Sequence, residues 1–186
     1  MFKGMKAQKR VAFGVALTLS AGGGLLFSPS VQAAEEHSAT IDSNQAGGVN
    51  GTGLTGYSSN NHITFTGNDT SPEVHGNIYG AKSESKLKLS SNRVQVLNGS
   101  VIGNIYGGYS VSGDVEKSIV DLGRVTIGSI ANSGSMIGGN VYGGWGKTAK
   151  DNIVTLRGTT VKGHVYGGWL STGAAAPVTD GNTLNI

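Results

Sequence analysis

The chain has 186 residues, enough for one modest domain, and is rich in glycine (32 residues) and poor in charge (13% Asp, Glu, Lys and Arg). Low charge with abundant Gly, Ser, Asn and Thr argues against an amphipathic helical protein and fits short strands joined by turns. The formal charge of +3 sits at the N-terminus: without Lys3, Lys6, Lys9 and Arg10, ten basic residues face 11 acids, so no basic patch remains for a nucleic acid partner.

Residues 1–33 read as a signal peptide. The four basic residues are followed by an apolar run from Val11 to Phe27, a helix-breaking Pro29, and Val31-Gln32-Ala33, the small-residue pattern that signal peptidase cuts. A membrane anchor is the competing reading, and Gly22-Gly23-Gly24 weakens it. The partners implied are the Sec export machinery and signal peptidase. Cysteine is absent, so an exported domain of this sequence has to be held by strand ladders and not by disulfides.

Residues 34–56 read as a flexible Gly/Ser/Asn-rich linker or an N-terminal cap. The string GTGLTG from Gly51 to Gly56 matches a dinucleotide fingerprint as text, but it lacks the strand–turn–helix setting such a site needs and is read as linker.

Residues 57–186 are repetitive. One motif reads VHGNIYGA from Val74, VIGNIYGG from Val101, IGGNVYGG from Ile137 and VKGHVYGG from Val161. Its glycines Gly76, Gly103, Gly139 and Gly163 lie 27, 36 and 24 residues apart. A second motif alternates with it: NHITF from Asn61, NRVQV from Asn92, SIVDL from Ser118, NIVTL from Asn152 and NTLNI from Asn182. The local period is two, which marks strands. A motif that recurs every few dozen residues and cannot bury its apolar face alone marks a solenoid. The predicted fold is all-β: a parallel β-solenoid of four to five coils with two strands per repeat.

Alternation places Asn61, Ile63 and Phe65 inward, and likewise their equivalents in each later copy. The predicted structural ladder is Asn61, Asn92, Asn152 and Asn182, each amide bonding the next, with Ser118 as its weak rung. The same alternation turns Gly76, Gly103, Gly139 and Gly163 inward. It turns Asn77, Asn104, Asn140 and His164 outward with Tyr79, Tyr106, Tyr142 and Tyr166. The pairs Gly107-Gly108, Gly143-Gly144 and Gly167-Gly168 are expected at corners with positive φ, and the insertion after Gly123 holds a further strand-like string, RVTIG.

Tyr109, Trp145 and Trp169 follow the glycine pairs as an outer aromatic stripe. They either shield strand edges or form a candidate ligand stripe for sugar rings or a receptor. Catalytic, cofactor and metal residues are all predicted to be none. His37, His62, His75 and His164 have no metal spacing. Asp114, Glu116 and Asp121 read as a solvated cluster rather than a catalytic pair. No calcium-binding GGxGxD repeat and no GxSxG elbow occurs.

The repeated GN[IV]YGG and Nx[VI]x[VL] strings behind a signal peptide resemble the passenger region of bacterial autotransporters, the type V secretion adhesins. That resemblance covers residues 57–186. It implies a secreted or surface-displayed, non-catalytic stalk or adhesin at the outer membrane, with host surface glycans or proteins as partners. It also implies a C-terminal outer-membrane β-barrel, which this sequence lacks, so the chain reads as truncated within a fifth copy. The alternatives are a secreted β-helix enzyme acting on carbohydrate and a carbohydrate-binding module.

Overall fold

The computed structural model describes residues 5–9, 35–66, 73–130, 136–137, 139–171 and 178–186, and these form a parallel β-solenoid of about five turns. The predicted hydrophobic run and cleavage site of the leader lie outside the described residues. Met5–Lys9 is a strand that pairs antiparallel with His37–Ile41.

Each coil has three faces, not the two strands the motifs suggest. The first face stacks His37–Ile41, Asn61–Phe65, Arg93–Val101, Ile119–Ile127, Ile153–Leu156 and Thr183–Asn185 in parallel. The second stacks Val49–Asn50, Ile78–Tyr79, Ile105–Ser110, Val141–Gly146 and Val165–Leu170. The third is short: Leu89–Ser90, Val115–Glu116, Thr148–Lys150 and Val178–Asp180.

Like residues lie over like. Ile63, Val94, Val120 and Val154 share one register row, and Phe65, Val96, Leu122 and Leu156 share another. All but Leu156 are buried to within 1%. Burying such a side chain stabilises by about 1.5–3 kcal/mol, so these columns are the main source of cohesion. A second small cluster, Ala81, Leu89 and Val115, fills the space under the third face.

Residues 35–56 precede the first repeated motif and form part of the solenoid. His37–Ile41 and Val49–Asn50 are the first-coil strands of the first and second faces. Gly51–Thr55 is a short helix capped by Asn50 at one end and by left-handed Gly56 at the other.

The third copy of the GN[IV]YGG motif is split. Ile127, not Ile137, pairs with Val101 and Val161. Gly128 then leaves the ladder for an antiparallel pair, Ser129–Ile130 with Met136–Ile137, and Gly139 returns beside it. A Cβ on Gly139 would lie 2.9 Å from the Cα of Gly128, so the excursion leaves and rejoins the coil at one point. This explains the long 36-residue spacing. The string RVTIG is no separate strand; it continues Ile119–Ile127 across the first face.

The asparagine ladder forms in two pieces. The backbone N–H of Asn61 donates to Asn92 Oδ1 (3.2 Å), and Asn61 Nδ2 donates to the same oxygen (3.1 Å). Beyond the break, the Ser118 N–H donates to Asn152 Oδ1 (3.0 Å). The Asn152 N–H and Nδ2 both donate to Asn182 Oδ1 (3.0 and 2.9 Å). Ser118 itself is fully buried, and its Oγ has no hydrogen-bond partner among the described residues. Gly108, beneath Ser118, stands where Gly144 and Gly168 make room for Asn152 and Asn182. The Ser118→Asn variant therefore fits without repacking and is expected to gain about 1 kcal/mol. Urea unfolding reads this as a higher midpoint at unchanged slope; a lower midpoint would mean that the rung cannot be closed.

The residue before each rung adopts a left-handed backbone. Asn60, Ser91, Lys117, Asp151 and Gly181 have φ of 56°, 55°, 53°, 53° and 61°. Only one of the five is glycine. The turn into the first face is thus held by the ladder it feeds, against a local cost of about 1–2 kcal/mol per non-glycine residue.

Candidate ligand face

The second face carries the chemistry. Its glycine pairs do not turn corners: Gly107-Gly108, Gly143-Gly144 and Gly167-Gly168 lie inside strands, and none has a positive φ. They permit close approach instead. A Cβ on Gly107 would sit 2.3 Å from Gly143 O, and one on Gly143 would sit 2.2 Å from Gly167 O. On Gly108 it would meet Val115 Cγ1 at 2.7 Å. With no side chains at these positions, the strand backbone lies in close contact with its neighbours and with core side chains. Tyr106 and Tyr109, three apart, have ring centroids 5.2 Å apart at 76°.

Gly76, Gly103, Gly139 and Gly163 are also misplaced by simple alternation. They sit at the corner between the first and second faces, not between core residues. A Cβ on Gly103 would lie 2.6 Å from Gly76 backbone, and one on Gly163 would lie 3.0 Å from Gly139 backbone. The corners of successive coils touch, so only glycine fits.

That corner carries a second asparagine ladder on the outside. Asn77 Oδ1 accepts from the Asn104 N–H (2.7 Å), Asn104 Oδ1 from the Asn140 N–H (2.9 Å), and Asn140 Oδ1 from the His164 N–H (2.8 Å). Each amide also donates to the tyrosine hydroxyl two residues on: Tyr79 at 2.8 Å, Tyr106 at 3.2 Å and Tyr142 at 3.0 Å. The N-x-Y string in the motif was the available sequence signal. Its parity placed the asparagine outward without indicating these bonds.

Tyr79, Tyr106, Tyr142 and Tyr166 stack face to face along the axis. Their centroids are 4.9, 4.9 and 5.1 Å apart, with planes within 11°. Such pairs add about 0.5–1.5 kcal/mol each beyond area burial. Tyr109, Trp145 and Trp169 form a parallel outer row, 5.9 Å from ring to ring and tilted by 30° and 32°. In the same row one coil earlier stands Lys82, whose Nζ lies 5.4 Å from the Tyr79 ring centre and 6.0 Å from that of Tyr109. Lys82 is ion-paired to Glu84 at 2.7 Å.

Burial, reinforced by the neighbouring tyrosines, raises the Tyr106 hydroxyl pKa above the ordinary value of 10.0. Burial likewise raises Tyr142, against the opposing hydrogen bond from Asn140. The fold therefore favours the neutral phenols. Their contribution is full below the unfolded pKa of about 10 and is lost as pH rises through 10 toward the folded values. Thermal melts are expected to be flat from pH 7 to about 9 and to fall above about 10. The fall should shrink in Tyr106→Phe/Tyr142→Phe; an equal fall in that variant would contradict the assignment.

The acids and histidines do not converge. Asp121 lies on the outer side of the first face, clamped by Arg93 Nη2 (3.2 Å), by Arg157 Nη2, and by Gln95 Nε2 (3.4 Å). Asp114 accepts from Thr148 Oγ1 (2.8 Å), and Glu116 pairs with Lys88 (2.7 Å). His62 meets Glu36, His75 meets Glu73, and His37 stacks on Tyr57 at 3.5 Å. Among the described residues no group of three potential metal ligands exists. In comparisons with protein-family models, with curated proteins and with solved structures, nothing matches this chain.

Proposed function

We propose that this chain is a non-catalytic stretch of an exported surface protein, an autotransporter-type passenger that serves as a rigid, adhesive spacer. One observation carries this reading: the polar side chains of the repeats are spent on one another from coil to coil. Both asparagine ladders run along the axis, and the tyrosine hydroxyls are tied to the outer one. Asp121, Asp114 and Glu116 each hold separate partners on different parts of the surface. A hydrolase or lyase needs acid and base groups poised around one bond. A rigid rod needs only repetition.

The basic n-region and the small residues before Ala34 support export. The test uses cells that carry the complete native gene. Mass spectrometry should find the mature N-terminus at Ala34, and protease added to intact cells should remove the solenoid. Retention of Met1 in a protease-shielded, intracellular chain would overturn the proposal.

A further inference from the structure

We propose that the outer row Tyr109–Trp145–Trp169 is a binding platform for a linear, uncharged, extended polysaccharide lying parallel to the solenoid axis. The proposal rests on the adhesive reading above and names its ligand class.

The row differs from the tyrosine stack beside it. The inner tyrosines, Tyr106 and Tyr142, use both ring faces on their neighbours and present only edges and hydroxyls. The rings of the outer row stand nearly upright to them: Tyr109 to Tyr106 at 76° and 5.2 Å, Trp145 to Tyr142 at 79° and 5.0 Å, Trp169 to Tyr166 at 62° and 4.5 Å. Tyr106 and Tyr142 have their faces covered, so they meet the outer rings through their edges. At 5.9 Å spacing and about 30° tilt the three rings are offset tiles, not a closed stack. Exposure reaches 39% at Trp169. The result is a row of aromatic rings, one per coil, half-buried at Tyr109 and Trp145 and exposed at Trp169.

Charge and hydrogen-bonding groups narrow the ligand. The platform has no ionised side chain within it. Lys82, which stands in the row one coil earlier, is ion-paired to Glu84, and Lys147 is exposed two residues beyond Trp145. Burial holds the Tyr109 hydroxyl protonated above its ordinary range. A charged polymer would lose hydration over three rings that carry no charge of their own. A neutral pyranose chain offers the complement: flat C–H faces for the rings, and hydroxyls at its rim. An extended chain sets one sugar ring after another in a line, as the coils set their aromatic rings. A strongly bent or branched glycan cannot follow a straight strip.

The test titrates the full chain with cellohexaose and xylohexaose, followed by tryptophan fluorescence and calorimetry, with polygalacturonate as the charged comparator. Saturable binding of at least one neutral hexaose is expected, together with a spectral shift. The Trp145→Leu/Trp169→Leu variant keeps an apolar filling but removes the flat faces, and should bind at least tenfold more weakly. Trp145→Phe/Trp169→Phe should restore most of the loss. Circular dichroism reports whether each variant keeps the solenoid, and the Phe variant stands as the second test if the Leu variant unfolds. The proposal falls if neither hexaose binds, if the Leu variant binds as the parent does, or if polygalacturonate is preferred. It falls too if the row mediates pairing of two copies, seen as a dimer in sedimentation that the Leu variant abolishes. Each of these failures leaves the surface-display reading intact, since that stands on N-terminal processing and protease access. Loss of surface display with hexaose binding retained would sink only the latter.

Discussion

Gly143→Ala is expected to unfold the central coils. The added Cβ would lie 2.2 Å from Gly167 O and 3.0 Å from Asn152 Cβ. The closer atom is backbone in a hydrogen-bonded parallel strand, so it cannot swing aside as a side-chain tip would. Relief requires parting Val141–Gly146 from Val165–Leu170, which breaks several ladder bonds and opens the aromatic rows at once. A loss of about 4 kcal/mol or more follows, a large share of the 5–15 kcal/mol that holds an ordinary domain. Gly47→Ala is the control. Its Cβ meets nothing within 4 Å, and its effect should stay within about 0.5 kcal/mol. Chemical denaturation of the two variants side by side checks the pair. Equal stabilities would mean that the coils do not approach as closely as described.

Asn152→Ala is the second large effect. Asn152 is fully buried, accepts from the Ser118 N–H and donates through Nδ2 to Asn182 Oδ1. Alanine removes the acceptor and leaves a buried backbone donor beside a Ser118 hydroxyl that already lacks a partner. The unmet donor costs about 1–3 kcal/mol and the small void adds about 1, for a total of about 3 kcal/mol. Asn182→Ala, on the last and more open coil, should cost less than half of that, because water reaches the freed groups. Hydrogen exchange of the Ser118 amide reads the local effect directly. An unchanged exchange rate in Asn152→Ala would show that the rung does not bear on stability.

The first face was legible in the sequence because its signal is chemical and periodic at once. Asn (Ser in one copy) at i, with large apolar residues at i+2 and i+4, recurs in five copies, and the observed register aligns the apolar positions from Ile63 to Leu184. The weak rung was legible too, since serine stood alone in an asparagine column. The third face was not. Its strands read LS, VE, TAK and VTD, two or three residues each, with one buried residue in each of the first three, none in the last, and no shared motif. The left-handed column was hidden for the same reason: Asn60, Ser91, Lys117 and Asp151 share a backbone angle but no chemistry.

The glycines show a different limit. Glycine serves positive φ and close approach alike, and composition cannot separate the two. Gly107, Gly143 and their partners were expected to turn a corner, and they pack strand on strand instead. In the candidate ligand face, the tyrosine and tryptophan rows followed from spacing. Their ring orientation did not, because spacing along the chain does not say how rings at i and i+3 meet. Parity placed Asn77, Asn104 and Asn140 outward, as observed, but gave no sign that they bond along the axis. An outward side chain at a corner bonds along the axis as readily as an inward one.

A cysteine pair tests the stacking of like on like most directly, since the chain has no cysteine of its own. Thr126 and Thr160 are exposed and face each other in adjacent parallel strands, 34 residues apart in sequence. In Thr126→Cys/Thr160→Cys, mild oxidation should give the intramolecular disulfide, because neighbouring Cα atoms in a ladder fall within the roughly 4.4–6.8 Å that the bond requires. Thr126→Cys/Asp151→Cys, which reaches the far corner of the same neighbouring coil, should stay reduced. A crosslink in the second pair and none in the first would mean that the coils are not in the register on which every ladder above depends.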